Sequence, residues 1–386
     1  MNDAVIVSAV RSPMGRAGKG LLTNLRIDDL GALVVKEALH RVPQIKTDEI
    51  EDVIFGCAMP EGEQGMNVAR NISLLAGIPF GAAALTLNRF CASGLQAINL
   101  AALNIMTGNG EVFVAGGIES MSHVPMGGFN PSLNEKLMKE GAPQAYISMG
   151  MTAENVAKKY QISREDQDRF AIASHQKAVK AHKEGKFKNE MIPVEIVLPD
   201  GKKVILDRDE NPREDTALEK LASLKAAFLE GGSVTAGNSS PLTDGAAAVV
   251  IMNGELAKKK GLKPLARIRA MAMAGCDPAY MGMGPVPAVQ KVLKRAGMKL
   301  SDIEIIEINE AFAAQSLAVL RELNADFNKV NPHGGAIALG HPLGCSGARI
   351  MATLINDLIT FNKTIGLETM CIGGGQGAAT VIERLL

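Results

Sequence analysis

The sequence predicts an α/β protein made of two related halves, the first interrupted by a long inserted segment. Three observations point there. Short β-branched runs alternate with amphipathic stretches at both ends of the chain, the pattern of strands and helices laid down in turn. Forty glycines, many placed where an apolar run gives way to a helical one, favour a turn-rich α/β chain over an all-helical one. The last third also repeats the first at a spacing of 253 residues. At 386 residues the chain is too long for one ordinary core, so two similar-sized halves are what its length asks for.

Taken in order, residues 5–10 and 53–56 read as strands, and residues 30–41 and 68–76 as helices. Residues 85–88 form a further strand that runs into Cys91-Ala92-Ser93-Gly94 and then a helix from Leu95 to about Thr107. Residues 112–115 close the unit as a buried strand ending at Gly116-Gly117. From about Met121 to Leu242 the texture changes to Gly, Pro, Met and mixed charge, as in Glu184-Gly185-Lys186. Ser163, with Asp166 three residues on, reads as a helix N-cap close to a capping box. The mixed charge of this segment reads as a solvated face.

The repeat then sets the boundaries. The run from Asp48 to Gly56 resembles the run from Ser301 to Asn309, and Ser93-Gly94 maps onto Ser346-Gly347 at the same spacing. Val114-Ala115-Gly116-Gly117 pairs with Cys371-Ile372-Gly373-Gly374 a few residues out of register. The expected division is a first half of residues 1–120 with 243–264, an inserted loop domain of 121–242, and a second half of 265–386. Two duplicated halves packed together bring corresponding turns face to face, and a site can form between them.

Composition limits the function. Basic and acidic residues balance at 41 each, which leaves no electrostatic footprint for nucleic acid or an anionic membrane. The first strand begins by Ala4, leaving no room for a signal peptide, and no uninterrupted apolar stretch is expected to cross a bilayer. Five scattered cysteines without a CxxC fit a reducing cytoplasm better than a disulfide framework.

Four short stretches carry chemistry: Asn88-Arg89-Phe90-Cys91-Ala92-Ser93-Gly94, Asn309-Glu310-Ala311-Phe312, Gly340-His341-Pro342 and Cys371-Ile372-Gly373-Gly374-Gly375. Each sits where a strand meets a Gly-rich turn or a helix start, the place where α/β sheets put ligands. Cys91 at a helix start meets unpaired N–H groups and the positive end of the dipole, which favour a thiolate; a core cysteine in a tight turn has the same context. His341 is wedged between Gly340 and Pro342, where it can take a thiol proton or serve as a satisfied turn residue. His333, in a similar Gly-rich stretch, is the obvious decoy. Cys371 follows the apolar residues 365–370 and precedes three glycines; it suits a proton shuttle with N–H groups for an oxyanion hole, or a buried strand-end cysteine. Asn309 ends a strand and is expected to open a helix over 310–320, as an N-cap or as a donor that orients a water or substrate oxygen.

Together these stretches resemble the thiolase family, and the likeness runs nearly end to end. It includes residues 5–15, Gly116-Gly117-Ile118-Glu119-Ser120-Met121-Ser122, Val234-Thr235-Ala236-Gly237-Asn238-Ser239-Ser240 and Asp244-Gly245-Ala246-Ala247. The resemblance implies a five-layered α/β/α/β/α fold from two duplicated halves with an inserted loop domain. It implies Cys91 as the acylated nucleophile, and His341 as the residue that activates it and donates to a first oxyanion hole with an Asn309-held water. It implies Cys371 as the acid/base at the α-carbon, with N–H groups of Cys91 and Gly373 as a second oxyanion hole. Met149, Ala236, Gly237, Ser240 and Phe312 match positions that line the pantetheine arm of coenzyme A. Coenzyme A enters as a substrate, with no permanently bound cofactor and no metal. The resemblance further implies a homodimer or homotetramer and leaves room for a β-oxidation partner enzyme. The residues around Cys91, with Glu119 to His123 and His333-Gly334-Gly335, look like the degradative branch. Ser148 departs from the histidine of the short-chain, acetoacetyl-CoA-forming branch.

Overall fold

A computed structural model of the chain describes residues 2–385. The first half runs β1 (Ala4–Arg11), β2 (Gly15–Arg16), α1 (Ile27–His40), β3 (Asp52–Gly56), α2 (Val68–Leu75), β4 (Ala83–Leu87), α3 (Ser93–Thr107) and β5 (Val112–Glu119). A long excursion follows, with α4 (Met149–Lys159), α5 (Arg164–Lys183), the hairpin β6 (Val194–Val197) and β7 (Lys203–Leu206), and α6 (Leu218–Ala222). The chain returns through β8 (Thr243–Asn253) and α7 (Gly254–Lys259). The second half is β9 (Ala266–Gly275), α8 (Pro285–Ala296), β10 (Ile305–Ile308), α9 (Ala313–Glu322), α10 (Ala336–Leu339), α11 (Leu343–Thr360), β11 (Ile365–Ile372) and β12 (Gln376–Arg384).

The strands order β10-β11-β12-β9-β1-β8-β5-β3-β4, with β2 paired to β8. Among the described residues, the two halves of this order join through Val5 opposite Arg267 and Ile6 opposite Ala266. Each half repeats one plan. In the first, β3 lies parallel to β5 with Asp52 opposite Phe113; 253 residues later, β10 lies parallel to β11 with Ile305 opposite Gly366. The register of the repeat is therefore kept from strand start to strand start. Gly116-Gly117 lie inside β5, whereas Gly373-Gly374 lie beyond β11, so the glycine pairs matched in the sequence are not structural counterparts. What differs between the halves is the link to the next strand: residues 120–242 lead from β5 to β8, and only Gly373-Gly374-Gly375 lead from β11 to β12.

Strands buried on both faces explain the unbroken apolar runs. On β1, Val5, Val7 and Val10 pack outward against α1 and α2, while Ala4, Ile6 and Ala9 pack inward against α3 and α11. A bulge between Ile6 and Ser8 shifts that alternation by one residue. Helices α8 and α9 cover the outer face of the second sheet. The layers are thus α1/α2, first sheet, α3/α11, second sheet, α8/α9, the five-layered arrangement the resemblance implies.

The middle layer decides where the site falls. α3 and α11 touch backbone to backbone: a Cβ at Gly347 would lie 2.3 Å from the Leu95 nitrogen. The stretch Phe90–Thr107 is long and apolar enough by composition to cross a membrane, although Gln96, Asn99 and Asn104 interrupt its apolar run. The physical reason is its position between two sheets, where Leu95, Ile98, Ala101, Ala102 and Ile105 are wholly buried. The excursion is clamped to β1 by Arg11, whose guanidinium pairs with Asp209 at 2.7 Å and with Glu190, and His182 adds a 3.0 Å contact to Asp209. That pairing keeps the Asp209 carboxyl well below its ordinary range against the opposing effect of burial, and breaking it would strand a buried charge.

Candidate active site

Cys91 sits in a one-turn 3-10 helix, Phe90–Ala92, immediately before α3. Side chains at both ends shape the turn. Asn88 Oδ1 accepts the Phe90 N–H at 2.7 Å, while Ser93 Oγ accepts the Arg89 N–H at 2.8 Å and donates to the Phe90 carbonyl. Phe90 is held at φ 44°, a left-handed backbone that a bulky residue adopts only where its surroundings enforce it. Cys91 is 7% exposed. The backbone N–H groups of Gly373 and of Cys91 itself favour the charged form of its thiol.

The helix-start argument for a thiolate fails here. Burial outweighs those two N–H groups, and the Glu119 charge adds to it, so the Cys91 thiol is pushed up to about 11. The resting residue is a thiol, and its activation needs a base.

His341 is the candidate base that the resemblance implies. The Gly340 φ of 110° turns the chain out of α10, and a Cβ there would meet Thr243 Oγ1 at 2.5 Å. Thr243 Oγ1 accepts the His341 N–H, and Asn211 donates to the Leu339 carbonyl. Ser346, one turn into α11, donates to the Pro342 carbonyl at 2.9 Å, which leaves its oxygen to accept from His341 Nδ1–H at 2.5 Å. That assignment places the ring proton on Nδ1 and the lone pair on Nε2. Asn309 Nδ2 lies 3.3 Å from Nε2, and Asn309 Oδ1 has no hydrogen-bond partner among the described residues. Burial, with the charge of Arg349, lowers His341 to about 3, so the ring is neutral near pH 7.

Asn309 does not open a helix. It extends the β10 ladder, its N–H reaching the Thr369 carbonyl at 3.0 Å, and α9 starts four residues later at Ala313 with Phe312 as its N-cap. Glu310 explains the gap. Its buried carboxylate turns back to accept from Ser174, Asn331 and the Ile337 N–H, fastening α5 and the α10 that leads to His341.

Cys371, wholly buried in β11, packs with Phe312 and Met149; Phe90 and Met149 approach the Cβ position of Gly373 at 3.6 and 3.7 Å. Burial pushes the Cys371 thiol well up, and the neighbouring Cys91 adds to that. Phe312 meets Phe228 edge to face at 6.0 Å, and the Ser240 N–H reaches the Ala311 carbonyl at 3.0 Å. Gly237 is buried beneath Leu221 and Leu224, while Ala236 is exposed. His333 stays outside this group, edge-on to Phe187, tilted against Phe361 and paired with Asp357. A cavity of about 1300 Å³ is lined by residues such as Leu21, Phe187, Ile205 and Arg208, and includes none of Cys91, His341 or Cys371.

Sequence reasoning missed Ser346, Thr243 and Asn211 as supports of His341. Only Ser346 left a signal, five residues beyond the histidine at the start of a helix.

Two neighbouring buried thiols and a neutral imidazole with its tautomer fixed are groups suited to acyl transfer. The chain belongs to the thiolase family: the family model "Thiolase, N-terminal domain" matches residues 4–255, and "Thiolase, C-terminal domain" matches residues 262–384. It is 52% identical to a 3-ketoacyl-CoA thiolase of Bacillus subtilis, covering 99% of this chain and all of that one. It is 51% identical to a 3-ketoacyl-CoA thiolase of a Marinomonas species, over all of this chain and 99% of that one. Its fold matches the crystal structure of the Bacillus anthracis acetyl-CoA acetyltransferase with a TM-score of 0.92 at 44% identity, over 100% of this chain and 99% of that one.

Proposed function

We propose that this chain is an acetyl-CoA C-acyltransferase of the degradative kind, cleaving a 3-ketoacyl-CoA with free coenzyme A to acetyl-CoA and a shortened acyl-CoA. The observation that carries the reading is the buried Cys91 thiol neighbouring the buried Cys371 thiol, in a chain alike over its full length to 3-ketoacyl-CoA thiolases.

Cys91 Sγ attacks the 3-keto carbon, and its proton passes to His341 Nε2. The N–H groups of Cys91 and Gly373 hold the oxygen of that carbonyl. The bond between C2 and C3 breaks, its electron pair staying on C2 as the enolate of acetyl-CoA. His341, now carrying Nε2–H, and an Asn309-held water stabilise the enolate oxygen, and the Cys371 thiol protonates C2. Coenzyme A then gives its thiol proton to the Cys371 thiolate and attacks the acyl carbon. Cys91 leaves as a thiolate and recovers its proton from His341. Protons and charge balance over the two half-reactions, so coenzyme A serves as a substrate and no resident cofactor is required. Met149, Phe312, Ser240, Gly237 and Ala236 line the path of the pantetheine arm.

The domain boundaries follow the same reading: residues 1–120 with 243–264, the inserted 121–242, and 265–386. Five free cysteines, two of them needed as thiols, support a reducing cytoplasmic setting. A homodimer, or a tetramer built from it, is supported by the sheet's end. β4 is an edge strand, and near it Met66 is 95% and Phe80 86% exposed, with Leu85 and Leu103 also outside. Sedimentation equilibrium at micromolar concentration is expected to give a dimer or larger; a monomer dismisses this assembly. Association with another β-oxidation enzyme is a further expectation of the same reading.

The test is coenzyme A-dependent thiolysis of acetoacetyl-CoA beside a medium- or long-chain 3-ketoacyl-CoA. The expected result is a kcat/KM that rises with chain length. Activity confined to acetoacetyl-CoA would instead make the chain an acetyl-CoA C-acetyltransferase.

A further inference from the structure

Glu119 is the last residue of β5, 1% exposed, and its carboxylate meets only donors. Oε2 accepts the N–H of Ala58 and the N–H of Gly344, each at 2.7 Å. Oε1 accepts the Met59 N–H at 3.1 Å and the Gln64 side-chain N–H at 2.7 Å, with Cys57 Sγ 3.8 Å away. These donors come from both halves of the molecule. Ala58 and Leu343 form a small apolar cluster with Cys91, and Met59 packs against it. Asn88, which shapes the Cys91 turn, also donates to the Ala58 carbonyl at 2.9 Å. Gly344 is the second residue of α11, three residues beyond His341. Its seat is fixed: a Cβ there would lie 2.6 Å from Cys57 Cα and from the Ile118 carbonyl oxygen. One carboxylate oxygen thus spans the loop beneath the nucleophile and the turn that carries the base.

We infer that Glu119 is a positioning residue of the reaction, its carboxylate holding the His341 turn of the second half against the Cys91 loop of the first. The inference rests on Cys91 as nucleophile and His341 as base. The constraint is specific to a carboxylate of this length. A glutamine has one acceptor oxygen for these donors, and its NH2 faces N–H groups. An aspartate keeps the charge but is one methylene short of reaching both Ala58 and Gly344. Displacing the base by a fraction of its contact distance leaves binding of coenzyme A untouched and slows the proton transfer.

The experiment compares wild type, Glu119→Gln and Glu119→Asp, each checked for folding by thermal unfolding. Thiolysis kinetics and mass spectrometry of acyl-Cys91 are read together with iodoacetamide alkylation of Cys91 across pH. The titratable groups that act on Cys91 are Glu119 from β5 and its neighbour Cys371 from β11, with His341 the base of the proposed reaction. With positioning at fault, kcat falls about 100-fold in Glu119→Gln and about tenfold in Glu119→Asp, while KM for coenzyme A stays within about twofold. The alkylation profile moves to lower pH in Glu119→Gln, which loses the charge, and keeps its wild-type position in Glu119→Asp, an outcome that looser packing alone does not produce. A folded variant of either kind with kcat within about twofold of wild type overturns the inference, as does a loss confined to KM. Should Glu119→Gln fail to fold, Glu119→Asp decides alone. Wild type without acyl-Cys91 refutes the nucleophile assignment instead, and the kcat comparison still judges Glu119.

Discussion

Replacing Cys91 with alanine is expected to lower kcat for thiolysis by about 10⁴-fold or more, with no acyl-enzyme formed from an acyl-CoA. The size follows from the covalent route. Without the thiol, free coenzyme A must attack the 3-keto carbon directly, and the two-step path through one intermediate is gone. Cys57, Cys345 and Cys371 do not substitute. Cys57 and Cys345 are buried among apolar side chains, and burial pushes both thiols far above their ordinary range. Cys371 is wholly enclosed and lies beyond the Cys91 turn with its N–H donors. The measurement is steady-state thiolysis together with mass spectrometry of the protein after exposure to acyl-CoA. An acyl adduct on the variant, or a rate within tenfold of wild type, would sink the assignment. The resting state makes a companion demand on the wild type. With the thiol pushed up to about 11, alkylation should be slow near pH 7 and climb steeply only in the alkaline range.

His341→Ala should cost about 10²–10⁴-fold in kcat, the usual range for a general base, with a smaller change in KM for coenzyme A. The pH dependence gives the sharper check. Burial and Arg349 lower His341 to about 3, so its proton-accepting form persists from there upward. The acid limb of kcat/KM therefore lies well below the value near 6.5 that an unperturbed histidine produces. The alkaline limb follows loss of the Cys91 proton toward 11. The expected profile is a broad plateau from acid to alkaline conditions. A limb centred near pH 6.5 that vanishes in His341→Ala would show a solvated, ordinary histidine and refute the buried-base geometry.

Much of this architecture was legible in residue order. Residues 5–10 read as a strand because their apolar run continues on both faces, and β1 is indeed covered on both. The repeat at 253 residues marked β3 and β10 as partners, and the structure keeps that register through the strands beside them. Ser163 was recognisable as a cap, its Oγ accepting the Asp166 N–H at 3.0 Å. Other features were hidden. The start of α9 moved to Ala313 because Glu310 turns inward to three partners distant in sequence, which local propensity cannot register. Glu119 lay in plain view within Gly116 to Ser122, but its donors come from residues 58, 59, 64 and 344.

By itself the sequence determined the alternation of strands and helices, the duplication, and the residue types able to form and break a thioester. Those depend on side-chain chemistry and on periodicities of a few residues. Only the tertiary structure decided which residues meet and in which protonation state. Burial between two sheets raises Cys91, lowers His341 and holds both in place through contacts made by residues far away along the chain. Desolvation depends on everything that surrounds a group, and that is settled only when the chain has folded.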